Sequence, residues 1–203
     1  DRGTGTRLIL SNNHVLANSN DASEGDPILQ PGPADGGIVG RDTIANLLRF
    51  EPIRYTSEPG TCSLASFYAA VGNFLAGLFG SRHRLDTIRQ DPSAVNYVDC
   101  ALARPVNDGD VLDEIMVIGS VQGTAEAALG MPLRKSGRTT AYTSGEVLVL
   151  DATVDVSYGT LLTARFEEQI IAGAMSDGGD SGSLVVSGEP PKAVGLLFAG
   201  SSQ

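Results

Sequence analysis

Hydrophobic and polar residues alternate in short runs along most of the chain, and turn-forming residues separate the runs. In residues 145–158, Val, Leu and Ala alternate with polar residues at a spacing close to two, which is typical of a half-buried antiparallel strand. Further strands are predicted within 6–18, 26–40, 42–55, 95–106, 111–121, 132–140, 163–173 and 193–200. Many short strands joined by turns predict an all-β protein, built as a sandwich or as barrels.

One uncharged segment, residues 61–80, follows a helical period instead. Its large apolar residues recur at i, i+3, i+4 and i+7: Leu64, Phe67, Tyr68, Val71, Phe74, Leu75 and Leu78. The length is close to the ~20 residues of a transmembrane helix, but the opposite face carries Ser, Ala, Gly and Asn. We therefore predict no membrane span and an inserted amphipathic helix packed on the body of the protein. A homo-oligomer contact through this helix is the weaker alternative.

Length and charge narrow the possible organisation and partners. A chain of 203 residues can form one domain or two small packed subdomains. The polar, turn-rich stretch 103–110 is the best boundary, so we predict a first subdomain at 1–106, with an insertion at 58–94, and a second at 107–203. The net charge of −10 argues against a nucleic-acid partner, because phosphate binding needs a basic surface.

Glycines crowd one serine in the stretch MSDGGDSGSLVV, residues 175–186. Such a run is either a flexible turn or a loop that presents Ser181 as a nucleophile on a backbone only glycine can shape. A serine hydroxyl needs a neighbouring base to accept its proton, and histidine is the usual base near neutral pH. The choice therefore depends on whether the chain supplies a base and an acid to orient it.

The chain has two histidines, and one of them has the companions that a base requires. His83 lies among arginines in a polar segment and is interpreted as an ordinary polar residue. His14 follows a β-type run. Asp99 lies in the apolar run NYVDCALA, where a buried carboxylate needs a partner such as an imidazole N–H. His14, Asp99 and Ser181 follow one another in the order seen in chymotrypsin.

Other chemistries fit the sequence less well. Two histidines and two isolated cysteines give no cluster with zinc-ligand spacing, so no metal and no cofactor are predicted. The nucleophile motif of the α/β-hydrolases fails because Ser183 stands where its last glycine belongs. Cys62 and Cys100 form at most one bridge, and a buried free thiol is the expected state of Cys100.

Three motifs together resemble the trypsin/chymotrypsin-like serine proteases: LSNNHVLA, NYVDCALA and GGDSGSLVV. The segment AVGLLFAGSS resembles the strand after the serine in that family, and KSGRTTAYTSGEV is similar to a segment of its bacterial members. The resemblance covers nearly the whole chain. It implies two packed six-stranded antiparallel β-barrels, with the catalytic residues in the cleft between them.

The resemblance also implies a serine endopeptidase acting on peptide or protein substrates through an acyl-enzyme. Ser181 would be the nucleophile, His14 the general base and then acid, and Asp99 the residue that orients the imidazole. The N–H groups of Gly179 and Ser181 would form the oxyanion hole. The substrate-binding positions implied by the family are Met175, Ser176, Asp177, Phe198, Ala199 and Gly200.

The chain departs from the family pattern at several places. Asp180 matches an aspartate that pairs with a newly formed amino terminus in activated zymogens, so an internal group such as an arginine, or a different regulation, is expected here. Phe198 replaces a serine that often bonds the catalytic aspartate. Terminal strands of the family are missing, so the chain is expected to be part of a longer polypeptide. Two other functions stay open: a catalytically silent binding or assembly module, and a peptidase that mainly processes its own precursor.

Overall fold

The computed structural model describes residues 5–200, and most of its regular structure is β. In this range the strands are β1 (Ile9–Ser11), β2 (Pro27–Leu29), β3 (Thr43–Phe50), β4 (Ser57–Pro59), β5 (Ile88–Gln90), β6 (Ala101–Pro105), β7 (Pro132–Gly137), β8 (Ala141–Gly159), β9 (Leu162–Ala172), β10 (Leu184–Ser187) and β11 (Lys192–Leu196). The α-helices are α1 (Asn13–Leu16) and α2 (Ser63–Leu78), and 3-10 turns lie at Asn18–Asn20, Pro33–Asp35 and Asp108–Asp110.

The described chain divides into two compact units. The first comprises the residues up to 53, residues 97–152 and those from 168 onward, and the second comprises 54–96 and 153–167. Strands β8 and β9 therefore each contribute residues to both units. This division does not test the subdomain boundary predicted at 106/107, which stays a prediction.

A four-stranded antiparallel sheet in the first unit has the order β1-β6-β3-β2. Its buried side packs Ala17, Leu47 and Ala101 together, with partly buried apolar neighbours around them. The residues that follow β2 contain two prolines and four glycines between positions 31 and 40. Proline cannot donate to a strand ladder, so this stretch forms turns, and within residues 5–200 the sheet has four strands.

The second sheet of the first unit has the order β11-β10-β7-β8-β9. Leu133, Val147 and Met175 form its buried cluster. Each large apolar side chain of this kind stabilises the fold by about 1.5–3 kcal/mol when it leaves water. The all-β class and the antiparallel pairing predicted from the alternating pattern are confirmed.

In the second unit, β4 pairs with β5 and with β9, and α2 follows β4. The predicted helix is present, but the prediction that its apolar face packs on the protein is wrong. The partly buried helix residues are the small and polar ones, Ala69, Gly72, Asn73 and Ala76. The residues of the predicted packing face are 40–67% exposed. Within residues 5–200, no helix is long and apolar enough to cross a membrane.

Candidate active site

Strand register brings His14 and Asp99 to the same end of the four-stranded sheet. Ser11, the last residue of β1, pairs with Ala101, the first residue of the antiparallel strand β6. The residues after Ser11 and those before Ala101 must therefore leave the sheet side by side. His14 lies three residues past the first strand, in the single turn of α1, and Asp99 lies two residues before the second.

The two side chains are in direct contact. Nδ1 of His14 lies 2.6 Å from Oδ2 of Asp99, whose side chain is 0% exposed, while the imidazole keeps 21% of its surface. The other carboxylate oxygen, Oδ1, accepts the backbone N–H of Asn13 at 2.6 Å and that of His14 at 3.3 Å. Asp99 thus orients the ring through one oxygen and is held by the chain around the histidine through the other.

Buried amides fasten the histidine turn to the end of β3. The Asn13 side chain donates to the Glu51 carbonyl at 2.7 Å and to Oδ1 of Asn20 at 2.8 Å. Asn20 in turn bonds both the N–H and the carbonyl of Ile53. These contacts fix the backbone on both sides of His14. The amide side chains also satisfy backbone polar groups that would otherwise need bound water.

Ser181 lies at the corner of a tight turn. The N–H of Ser183 donates to the Asp180 carbonyl at 3.0 Å, and its hydroxyl donates to the same oxygen at 2.6 Å. Gly182, in the third position of this turn, has φ +85°, which favours glycine. The turn therefore presents the half-buried Ser181 on a backbone that its neighbours hold.

A close approach joins this turn to the histidine side of the site. A Cβ built on Gly182 would overlap the hydroxyl of Ser11, at the end of β1. Gly182 also donates its N–H to the Leu197 carbonyl at 2.8 Å, and Leu197 returns a bond to Ser183 at 2.9 Å. The serine turn is thus held between the strand end that precedes His14 and the segment that follows β11.

Asp180, the residue before Ser181, is buried and paired with an internal cation. Its Oδ2 accepts Lys135 Nζ at 2.9 Å, and both side chains are 0% exposed. The other donors to its carboxylate are Thr140 Oγ1 and the backbone N–H groups of Thr139, Thr140 and Asp177. Burial by itself raises the pKa of Asp180, but the hydrogen bonds from Thr140 and Lys135, with those from the backbone, hold the pKa well below its usual range.

This arrangement specifies the partner that the sequence left open. The sequence suggested an arginine or another internal group for Asp180, and the structure places Lys135 of β7 there. The signal was a lysine two positions after Leu133, on the same side of the strand in the segment PLRKSG. Thr139 and Thr140 carried no comparable signal, because their role depends on the turn between β7 and β8.

Thr139 also fixes the orientation of a peptide group beside Ser181. Its hydroxyl donates to the carbonyl of Gly178 at 2.8 Å. In a trans peptide the carbonyl and the following N–H point in opposite directions, so the N–H of Gly179 points away from Thr139. Gly179 has φ +98°, and a Cβ there would lie 2.5 Å from Thr139 Oγ1 and 2.7 Å from a nitrogen of Arg138. Glycine is therefore the residue that this position accepts.

The six residues assigned to substrate binding lie in different environments. Met175 is 7% exposed and packs in the buried cluster of the second sheet, which places it beneath the surface. Ser176 and Gly200 face each other, with a Cβ on the glycine 3.6 Å from the serine hydroxyl. The Asp177 carboxylate accepts the N–H of Gly178 at 2.7 Å. Phe198 is half-buried, and Ala199 is exposed.

The two cysteines and possible metal ligands are the remaining groups that could carry chemistry. Cys62 is exposed and Cys100 half-buried, and both thiols are free. Burial raises the pKa of the Cys100 thiol, and the nearby Glu51 and Asp99 carboxylates raise it further. Among the side chains of residues 5–200, no three His, Cys, Asp or Glu residues group closely enough to hold a metal ion.

No family model matches this chain, and no curated protein matches it by sequence. Solved structures similar to it include a Cellulomonas bogoriensis chymotrypsin, with 24% identity over 56% of this chain and 59% of that one, at a TM-score of 0.43. A Nocardiopsis protease has 22% identity and Thermobifida fusca protease A has 24%, each over 53% of this chain and 56% of the other, at TM-scores of 0.42.

The chain thus spans less than two thirds of the length of these three structures. They are proteases by name. The likeness is one of fold, and the chemistry of the site depends on the side chains of this chain itself.

Proposed function

We propose that this chain is a serine endopeptidase that hydrolyses peptide bonds through His14, Asp99 and Ser181. The observation that carries the proposal is the buried Asp99 carboxylate, 2.6 Å from Nδ1 of a partly exposed histidine. An ionised carboxylate in such a position holds the imidazole in the tautomer whose other nitrogen, Nε2, can accept a proton. The Ser11–Gly182 approach gives independent support, because it brings the serine turn to the same end of the sheet.

In the proposed reaction, Ser181 Oγ attacks the carbonyl carbon of the scissile peptide while His14 Nε2 takes its proton. Asp99 stays ionised and stabilises the imidazolium. The C–N bond then breaks, His14 returns the proton to the leaving amine, and an acyl-enzyme remains on Ser181. A water molecule repeats the sequence, with His14 again accepting the proton, and releases the carboxylic acid product.

The negative charge on the carbonyl oxygen needs fixed donors, and we assign them to the N–H groups of Gly179 and Ser181. The bond from Thr139 to the Gly178 carbonyl supports this assignment, because it holds the first of these N–H groups on the side away from Thr139. Donors oriented before the reaction stabilise the developing charge without reorganisation, and loss of one costs about 10²–10³ in turnover.

For the substrate we propose peptides whose side chain before the scissile bond lies against Ser176 and Gly200, with Phe198 and Ala199 beside them. One carboxylate oxygen of Asp177 accepts the N–H of Gly178, and we propose that an apolar or small side chain is better suited to this position than lysine or arginine. A panel of peptide substrates that differ only at that position tests this preference, and faster cleavage after arginine would contradict it.

Covalent labelling with an organofluorophosphonate, detected by intact mass, tests the triad directly. The parent chain should take up one label, and Ser181→Ala and His14→Ala should take up none. His83→Ala is the matched control, because the second histidine is exposed, and it should label like the parent. A folded parent that does not label would contradict the peptidase proposal and favour a silent binding or assembly module.

A further inference from the structure

Helix α2 presents its large apolar residues to solvent and its small residues to the protein. We define the outer face as Leu64, Phe67, Tyr68, Val71, Phe74, Leu75, Leu78 and Phe79, which are between 40% and 88% exposed. The inner side is anchored by Asn73, whose amide donates to the Leu85 carbonyl at 2.9 Å and accepts its N–H at 2.7 Å. Gly72 lies so close to Leu85 that a Cβ there would come within 2.8 Å of its side chain.

This orientation is the reverse of the usual one, in which the apolar face of a helix packs on the core. The hydrogen bonds of Asn73 to both backbone groups of Leu85 hold the helix this way round. The outer face therefore keeps its orientation within the second unit. No residue of α2 is buried.

The area of the outer face suits a protein interface. A fully exposed aromatic residue presents roughly 150–250 Å², so Phe67, Tyr68, Phe74 and Phe79 alone expose on the order of 500 Å². The aliphatic residues of the face bring it to about the ~800 Å² that each partner contributes to a standard interface. Monomeric proteins rarely expose contiguous apolar patches larger than a few hundred Å².

Charge favours one occupant over another. Residues 59–81 contain no charged side chain, although the whole chain has a net charge of −10. Helices that lie on membranes carry Lys and Arg on their polar side, and anionic lipids repel an acidic protein. A second copy of the chain is equally acidic overall, but the two outer faces are uncharged and join without burying a charge.

We infer that the outer face of α2 is the interface of a homodimer, in which two copies of the helix pack antiparallel about a two-fold axis. The arrangement matches the anatomy of stable interfaces, with aromatic residues at the centre and charged groups at the rim. Arg82 and Arg84, just beyond the helix, and the Glu58–Arg89 ion pair would form that rim. A two-fold axis makes the contact self-complementary and closed. This inference does not depend on peptidase activity.

Sedimentation equilibrium of the full chain over a range of protein concentrations tests the interface, with a reducing agent present because Cys62 is exposed. The parent should have twice the monomer mass. Phe67→Glu with Phe74→Glu should have the monomer mass and an unchanged circular dichroism spectrum, because both residues are more than half exposed. The milder pair Phe67→Ala and Phe74→Ala should raise the dimer Kd about tenfold or more.

The matched control is Leu112→Glu with Met116→Glu, at two residues that are 76% and 79% exposed in the first unit. It should remain dimeric. A monomeric parent, a dimer that survives the glutamates at 67 and 74, or a control that dissociates equally would each overturn the inference. Flotation of a monomeric parent with phosphatidylcholine vesicles would also overturn it, and would show that the face binds lipid instead.

Discussion

Lys135 Nζ lies 2.9 Å from Asp180 Oδ2, and neither side chain has any surface exposed to solvent. The lysine comes from β7, and the aspartate directly precedes Ser181. The pair therefore links the serine turn to strand β7 of the second sheet. Thr140 joins it by donating its hydroxyl to the same carboxylate oxygen at 2.6 Å.

Lys135→Met should destabilise the protein strongly, because it removes the cation and leaves a buried carboxylate unpaired. Loss of one partner of a buried pair typically costs about 3–5 kcal/mol. The measurement is the free energy of unfolding from urea titration. Lys135→Met combined with Asp180→Asn should recover part of the loss, since neither charge then remains. A single variant as stable as the parent would contradict this account of the pair.

The stability contributed by Asp180 should depend on pH in a defined direction. Its pKa in the folded protein is well below the usual value, and in the unfolded chain it is about 3.9. The contribution is therefore fully present above that unfolded value and is lost as pH falls toward the folded pKa.

The measurement for this pH dependence is the free energy of unfolding of the parent minus that of Asp180→Asn, taken from neutral to acid pH. Titrating groups that do not contact Asp180 are common to both chains and cancel. We expect a constant difference at neutral pH and a shrinking one below about pH 4. A difference that grew on acidification would show that the carboxylate is not stabilised in its charged form.

Asp99→Asn should lower kcat on a cleavable peptide by about 10⁴ while the protein stays folded. An amide cannot hold the imidazole in the tautomer that leaves Nε2 free to accept the serine proton. Asp91→Asn, at an exposed turn with a bond to Ser93, is the matched carboxylate control and should leave kcat unchanged. Activity of Asp99→Asn within tenfold of the parent would remove Asp99 from the proposed triad.

Thr139→Val should reduce kcat about tenfold or more with little change in KM. The valine keeps the shape of the side chain but cannot donate to the Gly178 carbonyl, so the N–H proposed for the oxyanion is less well held. Thr139→Ser retains the hydroxyl and should restore kcat to near the parent value. A loss of kcat in Thr139→Ser together with a normal kcat in Thr139→Val would indicate that the methyl group, and not the hydrogen bond, is what matters at this position.

The sequence was sufficient to propose His14, Asp99 and Ser181 as candidate catalytic residues, because each stands out from its local pattern. Asp99 interrupts an apolar run, and glycines flank the serine. The structure then shows that His14 and Asp99 touch. The strand class and the helix at 61–80 were also accessible, since both depend on local periodicity.

Features set by tertiary contacts were less accessible. The sequence predicted that the apolar face of α2 packs on the protein, and this was wrong. Periodicity identifies an apolar face but does not show what covers it. The choice of Lys135 for Asp180 depends on how β7 lies beside the serine turn, a contact between residues 45 positions apart. The Asn13–Asn20 network depends on a turn whose geometry no simple motif encodes.

The serine turn is shaped by Asp180, Gly182 and Ser183, and Ser181 itself contributes no side chain to that framework. Removing its hydroxyl therefore leaves the surrounding surface as it was. Under the proposed function, a Ser181→Ala chain would recognise the same peptides without cutting them. In cell extracts such a chain would then retain its substrates long enough for them to be identified.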